Sequence, residues 1–212
     1  MSTPTDRRAR KRLATRQTIS DAATRLFIER GFDNVTVDEI AAAADVGRMT
    51  VFNHFVRKED MFFDRDDEVR EILRKALLLR DPLVAPIETL RLLAHQLVAQ
   101  RNPVVEFSDR SRSFIEAIES SETLKARARG IRGEFSEVVT ATLTECMQRE
   151  APDPDAHLAG ELILATWAVA FIEAHKVFRQ TRSSKKAGVA FLAIVDRGTA
   201  GVKAAMAGTP YT

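Results

Sequence analysis

The 212 residues are 45% hydrophobic and carry 32 Lys and Arg against 30 Asp and Glu, a formal net charge of +2. That apolar share is enough for a real core, and a single cysteine, Cys146, excludes an intrachain disulfide framework and predicts a small buried hydrophobe in a reducing compartment. The longest apolar run, Leu162 to Ile172, is too short to span a bilayer, and no apolar stretch follows the N-terminal charges as in a secretory signal, so no membrane partner and a cytoplasmic location are expected.

The elements are predicted to be helical throughout. Six of the first sixteen residues are basic (Arg7, Arg8, Arg10, Lys11, Arg12, Arg16) against one acid, Asp6. Such an arm suits a phosphate backbone, and it suits a solvated tail equally well. Ile19, Ala22, Ala23, Leu26 and Phe27 then recur at helical spacing, and Gly31 stands where a left-handed cap would close that helix. Thr36 followed by Glu39 reads as a capping box that starts a second helix at Val37. This helix runs to Ala44 and breaks at Asp45-Val46-Gly47, and a third follows from Arg48 to Phe55. A fourth, long helix is predicted from Lys58 to about Leu79. Asp81-Pro82 and Pro86 mark the next boundary, because proline cannot continue a helix. Further helices are expected near 86–101, 106–119, 121–149, 155–181 and 185–206.

A helix, a three-residue turn and a second helix over 37–55 have the dimensions of a DNA-binding helix-turn-helix. Ala41 is small where the two helices cross, and Ile40, Ala44, Val46, Val51 and Phe55 supply apolar contacts for that crossing. Arg48, Met49, Thr50, Asn53 and His54 are left on the outward side of the third helix, where side chains can reach base edges in the major groove. Phe52 and Phe55 fit core packing better than contact with DNA, while His54 suits a phosphate ligand or a surface residue alike.

The stretch from Arg16 to Phe63, with Glu29-Arg30-Gly31-Phe32, Thr36-Val37-Asp38-Glu39-Ile40-Ala41, Thr50-Val51-Phe52-Asn53-His54-Phe55 and Lys58-Glu59-Asp60, resembles the TetR family of regulators. The resemblance implies an all-α homodimer. Three N-terminal helices would bind double-stranded DNA, and the remainder would hold an effector pocket and a dimer interface built from the last two helices. It also implies that an effector shifts the fourth helix and changes the separation of the two DNA-reading heads. Asp45 stands where the family commonly has Gly, and Asp tolerates the left-handed region better than most residues. Phe52 stands where a phosphate-binding Tyr is common, which shifts the expected backbone grip to His54, Lys58 and the arm. The DNA-binding set is therefore Arg7, Arg8, Arg10, Arg12, Thr36, Arg48, Met49, Thr50, Phe52, Asn53, His54 and Lys58. Residues 1–57 are assigned to the arm and helix-turn-helix domain and 58–212 to a helical effector-binding and dimerisation domain.

The helix over 155–181 is apolar nearly all round from Leu162 to Ile172, which predicts burial on more than one side. The last helix shows an apolar face of Val189, Phe191, Leu192, Val195 and Val202, with Phe191 at the seam expected between subunits. Trp167, Phe171 and His175 are candidates for lining an effector pocket, with plain core packing the alternative. The basic stretch from Arg110 to Arg132, with Arg112, Phe114 and Ile115, and the Phe62-Phe63 pair are weakly similar to the TetR subset related to the mycofactocin-system regulator. That similarity implies Phe63, Arg112, Phe114 and Ile115 as ligand contacts and acyl-coenzyme A as the effector. No Gly-rich phosphate loop, nucleophile elbow or repeated Glu-x-x-His pair is present, and His54, His95, His157 and His175 are scattered. No catalytic residue, metal site or cofactor is therefore predicted.

Overall fold

Thr36 and Glu39 form a reciprocal pair at the start of a helix. The Glu39 N–H donates to the Thr36 hydroxyl at 3.3 Å, and the Thr36 N–H donates to the Glu39 carboxylate at 2.8 Å. This capping box begins α2 (Val37–Ala43) where the sequence predicts it. The computed structural model describes residues 4–212, with side chains from Arg7 onward, so Asp6 of the arm lies outside the described side chains. Among the described residues the regular elements are helical and no strand occurs. The chain divides into two compact units, Met1–Arg65 with Ser113–Ala128, and Asp66–Arg112 with Arg129–Thr212.

The first unit holds α1 (Pro4–Arg30), a single 3₁₀ turn (Phe32–Asn34), α2, α3 (Arg48–His54) and α4 (Glu59–Phe62). The C-terminal part of α7 (Asp109–Ser120) and the first turns of α8 (Glu122–Cys146) complete it. The basic run is part of α1 rather than a free tail. Gly31 has the positive φ of +84° expected of it, but its ψ of 142° is extended rather than left-handed helical. Its N–H donates to Phe27 O at 3.0 Å and closes α1. Asp45, at φ 52°, carries the turn between α2 and α3. Ile19, Phe27, Ile40, Val51, Phe55, Met61, Phe62 and Leu124 are buried together as this unit's core.

The predicted long fourth helix is two helices. Phe63 leaves helical geometry at φ −104°, ψ 40°, and α5 (Asp66–Leu78) restarts beyond it. The break places the Phe62 ring in a stack on Phe114, 4.2 Å between centroids, with Phe63 edge-on to Phe114 at 5.9 Å. An uninterrupted helix would turn one of these two adjacent rings away. Asp66, Asp67 and Glu68 then favour a fresh helical first turn.

The second unit holds α5, α6 (Pro86–Ala99), the start of α7, most of α8, α9 (Pro154–Thr181) and α10 (Ser184–Ala205). Pro86 occupies the first turn of α6, and Asp153 caps α9 by accepting from the N–H groups of Asp155 and Ala156. By length and composition α9 could cross a membrane, which corrects the estimate from the apolar run alone. Its residues Ala159, Ile163, Trp167, Ala170, Ala174 and Phe178 are nevertheless buried in the unit's own core with Leu90, Phe107 and Phe191. Helices α9 and α10 approach so closely that a Cβ at Gly198 would lie 2.2 Å from Cγ2 of Thr166. The apolar face of α10 divides. Phe191, Val195 and Val202 are buried within this chain, which removes Phe191 from an intersubunit seam, and Val189 stays 64% exposed. Cys146 is half-buried rather than buried, its thiol donating to Leu143 O at 3.3 Å. Tyr211 is fully buried, and its hydroxyl donates to Asp153 at 2.8 Å.

Candidate nucleic-acid interface

The angle between α2 and α3 is fixed by small and apolar residues. Ala41 and Ala44 are buried, Ile40 and Val51 have no exposed surface, and the Val46 N–H donates to Ala41 O at 3.0 Å. This packing turns one side of α3 outward. Arg48, Met49, Phe52 and Asn53 are exposed there, with Thr50 and His54 half-buried beside them. Arg48 pairs with Asp38 of α2 at 2.8 Å, and its guanidinium lies 5.5 Å from the centre of the Phe52 ring. Both members of the pair are exposed, so it adds little stability, but it restricts where Arg48 points.

The two phenylalanines expected to pack in the core separate. Phe55 is buried, whereas Phe52 is 42% exposed, so core packing is corrected for Phe52. A helix of this length has one buried side, and Val51 and Phe55, four residues apart, already fill it. Arg16 of α1 lies over the Phe55 ring at 4.1 Å and donates to His54 O at 2.5 Å, tying the long first helix to the end of α3. Partial burial, and then the charges of Arg12 and Arg16, lower the His54 pKa and so favour its neutral ring. Arg7, Arg8, Arg10 and Arg12 are exposed along α1.

Lys58 is engaged within the chain. Its ammonium donates to Phe32 O at 2.8 Å and Val35 O at 3.0 Å and sits 4.1 Å from the Phe32 ring centre. Burial lowers its pKa, ahead of the opposing pull of Asp33 and Glu59. The Thr36 hydroxyl donates to Glu39 at 2.8 Å, so the fold already uses that hydrogen. Glu39 is held at about 2 by the Thr36 N–H first, then by Arg30 and the Thr36 hydroxyl. The sequence does not single out Asp38, and it marks Arg16 only as part of the basic arm, not as a tie to the end of α3. Their partners lie 10 and 38 residues away, and no local pattern marks them.

The expected ligand contacts fall into two groups. Phe63 and Phe114 meet in the first unit around Phe62, with Ile115 half-buried nearby in sequence. Trp167, Phe171 and His175 belong to the second unit and gather around Phe107 and Phe191. Phe171 lies 4.9 Å from Phe191, Trp167 6.0 Å from Phe191, and His175 5.2 Å from Phe107. His175 Nδ1 bonds to Phe171 O at 2.9 Å. Arg112, also in the second unit, donates to Asp109 at 3.4 Å, and in the same basic stretch Lys125 pairs with Glu122 and Arg127 with Asp60. Among the described residues no three His, Cys, Asp or Glu side chains group closely enough to hold a metal ion.

Residues 19–64 match the family described as bacterial regulatory proteins, tetR family. The chain is 31% identical over 83 residues to the HTH-type transcriptional regulator TcmR of Streptomyces glaucescens, covering 39% of this chain and 37% of TcmR. It is 45% identical over 49 residues to the mycofactocin biosynthesis regulator MftR of Mycobacterium tuberculosis, covering 23% of this chain and 25% of MftR. These matches span well under half the length of either relative. In fold, the chain is similar to SmeT, a repressor from Stenotrophomonas maltophilia, in its complex with triclosan. The TM-score is 0.58 at 19% identity, over 89% of this chain and 91% of SmeT. The helix-turn-helix and the all-helical remainder are thus similar to the tetR family of bacterial regulatory proteins, whose match lies over residues 19–64.

Proposed function

We propose that this chain is a homodimeric transcriptional regulator, a repressor that leaves a palindromic operator when a small apolar effector binds, and that it is not an enzyme. The observation that carries the reading is the outward face of α3. There Arg48, Met49 and Asn53 stand exposed on a helix braced by α2 and by Arg16, with exposed cations along α1. The partner is double-stranded DNA, and the place of action is the cytoplasm, where bacterial DNA resides.

The dimer assignment rests on α9. Leu158, Val169 and Ile172 are exposed on it, the last two at 51% and 52%. With the half-buried Leu162 and Ala165 they make a row at 158, 162, 165, 169 and 172. Alternate steps of four and three are the spacing of a helix–helix seam. Val189 on α10 is a further exposed apolar residue.

The effector reading rests on the ring cluster of Trp167, Phe171 and His175 with Phe107 and Phe191, a setting that favours an apolar molecule. An acyl-coenzyme A would need cations for its phosphates. Arg112, Lys125 and Arg127 each bond to a carboxylate of this chain, which makes a plain apolar effector the better fit.

Selection of duplexes from a degenerate library tests the reading. The expected result is one enriched inverted repeat, bound by two chains and released by an apolar compound. Recovery of no sequence preference would contradict it.

A further inference from the structure

The outward face of α3 is not simply cationic. Met49 is 70% exposed, Phe52 is partly exposed, and Val56, just past the helix end, is exposed as well. Met49 and Phe52 stand at i and i+3 and share one side of the helix, while Val56 lies beyond the extended Phe55 that ends it. Arg48 lies beside this apolar line, held by Asp38 and the Phe52 ring. The surroundings are positive, since Arg12 and Arg16 come close enough to depress the neighbouring His54. The surface thus combines cations with an apolar strip only one side chain wide.

Duplex DNA is the partner of that description. Its phosphates complement the cations, and the base edges in its major groove offer one apolar group, the C5-methyl of thymine. Met49 is suited to reach it, because an unbranched thioether side chain with three rotatable bonds adapts to a small apolar target. Apart from a weakly accepting sulfur the side chain has no hydrogen-bonding group, so the methyl is the base-edge group in that groove that it fits best.

We propose that Met49 reads the C5-methyl group of a thymine in the same operator half-site in which Arg48 contacts its base. The proposal rests on the DNA-reading function above and adds the chemical group that this position selects. Arg48 then supplies the polar half of the readout and Met49 the apolar half, with Phe52 as the platform beneath Arg48.

The test uses the full chain and the best sequence selected from a degenerate duplex library. Each thymine is replaced in turn by deoxyuridine, in both half-sites together, which removes the methyl group and leaves base pairing and every hydrogen-bonding group unchanged. Affinities are measured for the wild type, Met49→Ala and Met49→Leu, with thermal unfolding confirming that these exposed substitutions leave the fold intact. At one symmetric position, deoxyuridine should weaken the wild type about fourfold per half-site, roughly fifteenfold in total, the loss expected for one buried methyl each. Met49→Ala should bind as weakly as the wild type on that modified duplex and be insensitive to the change, while Met49→Leu should remain sensitive. Placing 5-methylcytosine at each cytosine tests the other source of the same methyl, and no gain is expected. A gain there without a loss at any thymine would overturn the assignment to thymine. Equal losses for wild type and Met49→Ala at every deoxyuridine position would overturn the role of Met49 and leave the DNA-reading function standing. Failure to select any duplex, with binding instead to anionic vesicles or an acidic protein, would overturn both.

Discussion

Arg16 on the first helix donates to the carbonyl of His54, the last residue of α3, across 38 residues of sequence. The same guanidinium covers the buried Phe55 ring at 4.1 Å. The side chain therefore satisfies a carbonyl at the end of α3 and shields an aromatic core residue at once. Replacing Arg16 with Ala should lower stability by about 1–2 kcal/mol, the sum of one charge-assisted hydrogen bond and one cation–π contact. Lysine at this position lacks the flat fork and should restore less than half of the loss. Urea unfolding of the three proteins gives the comparison, and equal stability of all three would show that the contact is incidental.

Lys58 distinguishes a structural cation from a phosphate contact. Its ammonium already bonds to the carbonyls of Phe32 and Val35. Lys58→Met should destabilise the chain by about 1–2 kcal/mol while leaving the salt dependence of DNA binding unchanged. A drop of roughly one in the slope of log affinity against log salt would instead assign Lys58 to a phosphate.

How much of this was legible in the sequence depended on distance along the chain. Thr36 and Glu39 are three residues apart, Val51 and Phe55 four, and Pro86 and Asp153 sit at the helix starts they cause. Such local chemistry located α2, α3, α6 and α9 closely. The break at Phe63 did not show, because its cause is Phe114, some fifty residues away, stacked on Phe62. The inward turn of Lys58 has the same kind of cause, since its partners are carbonyls of a turn more than twenty residues earlier. Periodicity gave the outward face of α3 correctly for Arg48, Met49 and Asn53. It could not separate Phe52 from Phe55, three residues apart, because the chain leaves the helix at Phe55 in an extended conformation that buries this ring.

Acid sensitivity should report on the end of the chain. Burial alone would raise the Asp153 carboxyl. Arg149 at 2.7 Å, the Tyr211 hydroxyl at 2.8 Å and the Ala156 N–H outweigh it and hold the group at about 2. The folded value lies below the unfolded one, so the stabilisation is full above about pH 4 and is lost as pH falls towards 2. A shift of this size corresponds to about 2 kcal/mol at neutral pH. Asp153→Asn should be less stable at pH 7 and should lose less stability between pH 4 and pH 2. Parallel pH–stability curves for the two proteins would contradict the assignment.

The proposed subunit seam rests on exposure. Val169 and Ile172 face solvent on one side of α9, whereas Phe191 is buried in its own chain. Changing Val169 and Ile172 together to Asp should leave folded monomers in sedimentation equilibrium, with binding to a two-fold operator weakened by two orders of magnitude or more. Phe191→Asp should unfold the chain instead, because it buries an unpaired charge. A dimer that persists in the double variant would move the interface off this face of α9.

The central claim is that α3 reads base edges through Arg48, and one comparison tests it most directly. Wild type and Arg48→Ala are titrated onto the selected operator and onto an unrelated duplex across a series of salt concentrations. The preference for the operator should fall by about 1–3 kcal/mol per half-site in the variant, with relaxed selectivity at a single base position. Affinity for the unrelated duplex should change little, because the proposed reading assigns it to phosphate contacts from α1. An Arg48→Ala protein that keeps the wild-type ratio between the two duplexes would contradict the account.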